Sequence, residues 1–134
     1  MQSVSTIFVV DDNREFIDLI AMILRAEGYH VYAFYDAMSA LSEVQLVRPD
    51  LVIVDLSMPQ MSGIDFILYM RRCGLTSTPV ILITAGTYNI DTLPIDKLTS
   101  FFIKPLDMAD LLPTIRLACE EYRQRTAQVR SATA

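Results

Sequence analysis

Ile7–Val10, Leu51–Val54 and Val80–Thr84 are apolar at nearly every position. That is the pattern of strands covered on both faces, as in a parallel sheet. Phe101–Ile103 is a shorter run of the same kind, and His30–Phe34 is more polar, which places it near a sheet edge. Between these runs the spacing turns helical. Phe16, Ile20, Ile23 and Leu24 mark a helix over 15–27, stopped by Gly28. Leu41, Val44 and Val47 mark a second over 37–47, with Asp36 as its cap, and residues 64–72 make a third that ends before Gly74. A last helix runs from about Met108 to Arg125, capped by Asp107, with Pro113 expected to kink its first turns. Pro49-Asp50 and Pro79 break the chain ahead of the third and fourth strands. The stretch AGTYNIDTLPIDKLTS after Thr84 is the exception. Ile90, Leu93, Ile95 and Leu98 keep poor helical spacing, and Pro94 would interrupt a helix begun at Asn89, so a short or distorted helix is expected.

Strands alternating with helices require right-handed crossovers and a mostly parallel sheet with helices on both faces, an α/β architecture. The 134 residues suit one domain, taken as residues 1–125 with a flexible tail over 126–134. A hydrophobic content of 52% argues against disorder. No apolar run approaches the roughly 20 residues of a membrane span, and MQSVSTIFVVDD lacks the basic start of a signal peptide. Cys73 and Cys119 lie far apart without metal-ligand spacing and read as reduced thiols of a cytoplasmic protein. A net charge of −5 removes the basic footprint that nucleic-acid binding needs. His30, the single histidine, falls at the start of a strand and reads as a surface residue.

Chemistry gathers at the strand ends. Asp11 and Asp12 follow the first apolar run, Asp55 the third, Thr84 closes the fourth and Lys104 follows the fifth. In an open α/β sheet the carboxyl ends of the strands line one edge, where ligands bind. Singly, each has an ordinary reading: turn residues or a helix cap for the aspartates, a strand former for Thr84, an exposed lysine for Lys104. Together they supply three carboxylates, a hydroxyl and an ammonium, the parts that hold a divalent cation and a phosphoryl group. Adjacent aspartates repel each other, and a cation relieves that repulsion. Magnesium prefers such oxygen ligands.

The motifs VVDD, VDLSMPQMSG, VILITA and FFIKP resemble those of response-regulator receiver domains of bacterial two-component systems, over roughly residues 6–122. The resemblance implies a flavodoxin-like fold, strand order 2-1-3-4-5. It implies Asp55 as phosphoacceptor, with Lys104 and Thr84 as its catalytic partners. Magnesium would be held by Asp11, Asp12, Asp55 and the backbone carbonyl of Ser57, with Asp11 acting mainly through bound water. Phosphoryl oxygens would be met by Lys104, Thr84 and the amides of Ser57 and Ala85. Pro59 and Gly63 match the family's turn after the acceptor, and Thr84 and Phe101 its switch pair. The donor would be a phosphohistidine on a sensor histidine kinase or a histidine phosphotransfer protein, with a homodimer as an option. The protein would catalyse only its own phosphoryl transfer and dephosphorylation, and would signal through the 84–106 face.

The chain departs from the family in its short Thr84-to-Lys104 spacing, in KLTSFF before the last strand run, and in Phe rather than Tyr at the switch. These bear on output more than on phosphorylation. The alternative is a degenerate receiver that binds partners without being phosphorylated. A phosphoaspartyl hydrolase would want a second acid where Ser57 stands, and a flavin or mononucleotide protein a glycine-rich loop where DDNRE stands. The motif style is similar to receivers that precede DNA-binding domains, so a stand-alone receiver and a fragment of a longer regulator both remain open.

Overall fold

A computed structural model describes residues 4–86 and 92–133. The elements are β1 (Thr6–Val10), α1 (Arg14–Ala26), β2 (His30–Phe34), α2 (Ala37–Val47), β3 (Leu51–Asp55), α3 (Gly63–Arg72), β4 (Val80–Thr84), β5 (Thr99–Ile103) and α4 (Met108–Thr133). The five strands form one sheet in the order β2-β1-β3-β4-β5, every pair parallel. The polar strand is at an edge, as its composition predicts.

Strand side chains alternate between faces, and the core divides accordingly. Phe8, Val10, Val52, Val54, Val80 and Leu82 pack with Ala40 and Val44 of α2 and with Phe66 and Met70 of α3. Ile7, Val9, Leu51, Ile53, Ile81 and Ile83 pack with Ile17, Ile20 and Leu24 of α1 and with Leu111 and Ile115 of α4. Burying one such side chain stabilises the fold by about 1.5–3 kcal/mol. Doubly covered strands explain why the alternation is invisible in the sequence: both faces are apolar.

Caps fix the helix starts. Asn13 accepts from the Phe16 amide at 3.1 Å and starts α1. Asp36 caps α2 at 2.8 Å, and Ser62 caps α3 at 3.1 Å. Asp107 accepts from the Ala109 amide at 2.9 Å where α4 begins. Gly28 and Gly74 take left-handed φ angles of 97° and 92° just past α1 and α3, a conformation that costs glycine little.

One expectation needs correction. The last helix does not end at Arg125: it continues to Thr133 with Pro113 inside it, through alanine, arginine and glutamine, which favour helix. The short or distorted helix expected between β4 and β5 falls mostly on residues 87–91, which lie outside the described residues. Of the described residues, Thr92 is in a 3₁₀ turn and 93–98 are irregular or in turns, as Pro94 and the poor periodicity favour.

Candidate functional site

Asp11, Asp55 and Lys104 meet at the carboxyl edge of the sheet. Asp55 is the last residue of β3, whereas Asp11 and Lys104 directly follow β1 and β5. Continuing the strand alternation puts all three on the α1/α4 side, in step with Val9, Ile53 and Phe102. Lys104 donates to Asp11 at 2.7 Å across 93 positions of sequence, and its Nζ lies 3.8 Å from Asp55. Carboxylate oxygens of Asp11, Asp12 and Asp55 lie within 4.8 Å of one another. Asp11 is 1% exposed and Asp55 8%, while Asp12 is exposed.

One ammonium does not balance three carboxylates. Burial pushes the Asp55 carboxyl up to about 6, and the Asp11 charge adds to the rise. Lys104 and a 3.2 Å hydrogen bond from the Ser57 amide pull the other way without cancelling it. Asp11 is braced locally, accepting from the Asn13 amide at 2.9 Å. The β1–α1 turn therefore serves site and helix together: Asp11 holds Asn13, and Asn13 caps α1.

Thr84 and Phe101 belong to the other face. Thr84 ends β4 in step with Val80 and Leu82, is 1% exposed, and accepts from the Gly86 amide at 3.1 Å. The register pairs Asp55 with Ile83, so Thr84 stands one step farther along the same edge. Its carbonyl accepts from the Lys104 amide at 2.7 Å, tying the two strand ends together. Phe101 pairs with Leu82 and is half-buried against the α2/α3 core beside Leu93 and Ile95. Ala85 follows Thr84 directly and is exposed.

Gly63 shows why the turn after Asp55 needs glycine. A Cβ there would lie 2.5 Å from the Asp55 carbonyl oxygen, 2.9 Å from Leu82 Cδ1 and 3.0 Å from Leu56 Cα. The Gly63 amide donates to the Leu56 carbonyl at 2.8 Å, closing the loop onto the strand. Ser57, Met58 and Pro59 line an open depression beside it.

Sequence reasoning missed Phe16. Its ring lies under the Lys104 ammonium, 4.2 Å from ring centroid to Nζ, a cation–π contact. The available signal was position, since Phe16 is in the first turn of the helix that starts beside the aspartates.

The family model of the response regulator receiver domain matches residues 7–116. The chain belongs to that family. It is 32% identical over 112 residues to the DNA-binding response regulator MtrA of Mycobacterium tuberculosis, covering 82% of this chain and 48% of that protein. It is 26% identical over 129 residues to the regulatory protein VanRc of Enterococcus gallinarum, covering 95% of this chain and 55% of that one. It thus spans about half the length of the curated relatives it matches. Among solved structures it resembles the chemotaxis protein CheY4 of Vibrio cholerae, with a TM-score of 0.77, 25% identity, and 87% and 99% of the two chains covered. It also resembles the beryllofluoride-activated NtrC4 receiver domain, a dimer in solution, with a TM-score of 0.79, 27% identity, and 87% and 98% covered. This receiver domain has the five-strand order of its relatives and keeps the acidic trio and lysine together, so nothing at the site favours a degenerate reading. Among the described residues no helix is long and apolar enough to cross a membrane.

Proposed function

We propose that Asp55 accepts a phosphoryl group from a phosphohistidine of a sensor histidine kinase or histidine phosphotransfer protein. A carboxylate oxygen of Asp55 attacks phosphorus in line. The P–N bond breaks, its electron pair stays on the imidazole nitrogen, and that nitrogen takes up a proton. The product is an acyl phosphate, which water later cleaves back to aspartate and inorganic phosphate. The observation that carries this reading is the partly desolvated Asp55 carboxylate with the Lys104 ammonium 3.8 Å away.

Aspartate is a weak nucleophile, so rate must come from positioning and charge neutralisation. Lys104, steadied by Asp11 and the Phe16 ring, supplies positive charge beside the incoming phosphoryl oxygens. The Thr84 oxygen already accepts from Gly86, which leaves its proton to donate to a phosphoryl oxygen, and the Ser57 and Ala85 amides serve the remaining oxygens. The three carboxylates form an oxygen-only donor set that suits a hard cation. Asp11, Asp12 and Asp55, with the Ser57 carbonyl, would hold magnesium. When bound it neutralises negative charge on the transferring group.

Thr84 and Phe101 lie on the face opposite the ammonium, and drawing Thr84 toward a phosphoryl group would let Phe101 move further into the α2/α3 core. The signal then leaves through the 84–106 face to a protein partner, a second copy or a linked output region. The receiver unit is taken as residues 1–125, working in the cytoplasm. With a net charge of −5 it contacts proteins rather than nucleic acid directly.

Incubation with magnesium and acetyl phosphate tests the acceptor. Intact mass should show one added phosphoryl group on the wild type and none on Asp55→Asn. Equal labelling of both would sink the assignment.

A further inference from the structure

One side chain of α3 reaches the described part of the β4–β5 connection and ties it to its surroundings. Arg71, in the last turn of α3, donates from Nε to Asp96 at 2.9 Å and from Nη2 to the same carboxylate at 3.5 Å. Its Nη1 donates to the carbonyls of Leu75 and Thr78, both at 2.7 Å. One guanidinium thus holds the loop after α3, the approach to β4 and the approach to β5. Asp96 is saturated in turn. Its carboxylate accepts from the Leu98 amide at 3.0 Å and the Thr99 hydroxyl at 2.9 Å, and Thr99 is the first residue of β5. Partial burial opposes its charge, but hydrogen bonds from Arg71 and Thr99 and the Arg71 charge prevail and hold the carboxyl below the usual range.

On either side of Pro94, Leu93 and Ile95 pack onto the core that also takes Phe101. Backbone bonds help too, with the Val80 amide donating to the Leu98 carbonyl at 3.0 Å and the Thr99 amide to the Asp96 carbonyl at 3.2 Å, but the Asp96 carboxylate is the side-chain contact that ties this connection to α3. The opposite end of α3 is pressed onto the acceptor: Gly63 sits against the Asp55 carbonyl. The helix therefore joins the acceptor strand at one end to the Asp96 contact at the other.

We propose that Arg71 and Asp96 form a clasp that holds the resting position of the β4–β5 connection and of Phe101, and that its release favours the phosphorylated form. The proposal rests on Asp55 as acceptor. An interaction that stabilises only the resting state disfavours the other state by the same factor. Weakening the clasp should therefore ease phosphorylation from a donor that needs no docked kinase.

The test uses Asp96→Asn and Arg71→Lys in the full chain. Asparagine keeps the size and the acceptor for Leu98, and lysine keeps the charge but loses the planar fork. Before any phosphodonor is added, amide exchange over 92–101 should quicken roughly three- to tenfold in each variant, with α1 and β2 unchanged. The double variant should add little to either single one. With magnesium and acetyl phosphate, each variant should be labelled faster than wild type by about the same factor. Unchanged exchange would show that there is no clasp. Faster exchange with an unchanged labelling rate would reduce the pair to a static brace and overturn the regulatory role. Asp55→Asn, run alongside, tests the acceptor separately, because the exchange readout does not depend on phosphorylation.

Discussion

Among the described residues a cationic side chain pairs with carboxylate at two places, and they are built in opposite ways. At the sheet edge one ammonium faces three aspartates, and Asp55 is pushed up to about 6. At the end of α3 one guanidinium faces one aspartate, with backbone and hydroxyl donors added, and Asp96 is held low. The first has unspent negative charge, and the second has none. A site that must receive a cation and a phosphoryl group needs that deficit, whereas a fastening needs the opposite. Lys104 also has less freedom than its charge suggests, because Asp11 and the Phe16 ring occupy it from two sides.

Removing the cation from each cluster should sharpen the contrast, and the largest effect belongs to the sheet edge. Lys104→Ala leaves the almost fully buried Asp11 without its ion pair, and in metal-free buffer should cost roughly 2–4 kcal/mol in urea denaturation. A loss no larger than that of an exposed lysine would mean that the edge is well solvated and the deficit imagined.

Next in size is the pH dependence of Asp55. Its carboxyl titrates higher in the folded than in the unfolded chain, so between about pH 4 and 6 the folded state binds the extra proton. That contribution is present in full below the window and is lost as pH rises through about 6. Metal-free protein should therefore lose part of its stability between about pH 4 and 6, and Asp55→Asn should flatten that slope while raising the melting temperature near neutrality. Solvent reaching the edge reduces the effect to on the order of 1 kcal/mol. A wild-type slope of the opposite sign would show that Lys104 outweighs burial and the Asp11 charge.

The smallest effect belongs to the clasp. Asp96 is partly exposed, so Asp96→Asn should lower global stability by only about 1 kcal/mol, read by the same denaturation. A much larger loss would make this pair part of the core and remove the contrast.

Much of this was legible from sequence because the strands are nearly pure. Val80–Thr84 is the strand that its apolar run predicts, and His30–Phe34 and residues 37–47 also keep their expected bounds. Asp11, Asp55 and Lys104 could be gathered on one edge because each stands at the end of such a run. The facing of side chains was not legible: runs apolar on both faces carry no alternation, so nothing showed that Lys104 and Thr84 point to opposite layers. Arg71 and Asp96 were hidden for another reason. They lie 25 positions apart, each in an ordinary polar context, and their meeting depends on a connection whose irregular path no periodicity reports. The continuation of the final helix past Arg125 was missed because RTAQVRSATA lacks an apolar stripe, although its residues favour helix locally.

The ring of Phe16 beneath the Lys104 ammonium offers an optical handle. The chain contains no tryptophan, so Phe16→Trp would place a single indole against the one cationic group of the site, on a ring type that holds such a cation best. Indole emission responds to a nearby charge, so magnesium entering or a phosphoryl group arriving would be seen as light from one known position. The same aromatic contact that steadies the lysine would then time each step of the switch in solution, without a label and without a partner protein.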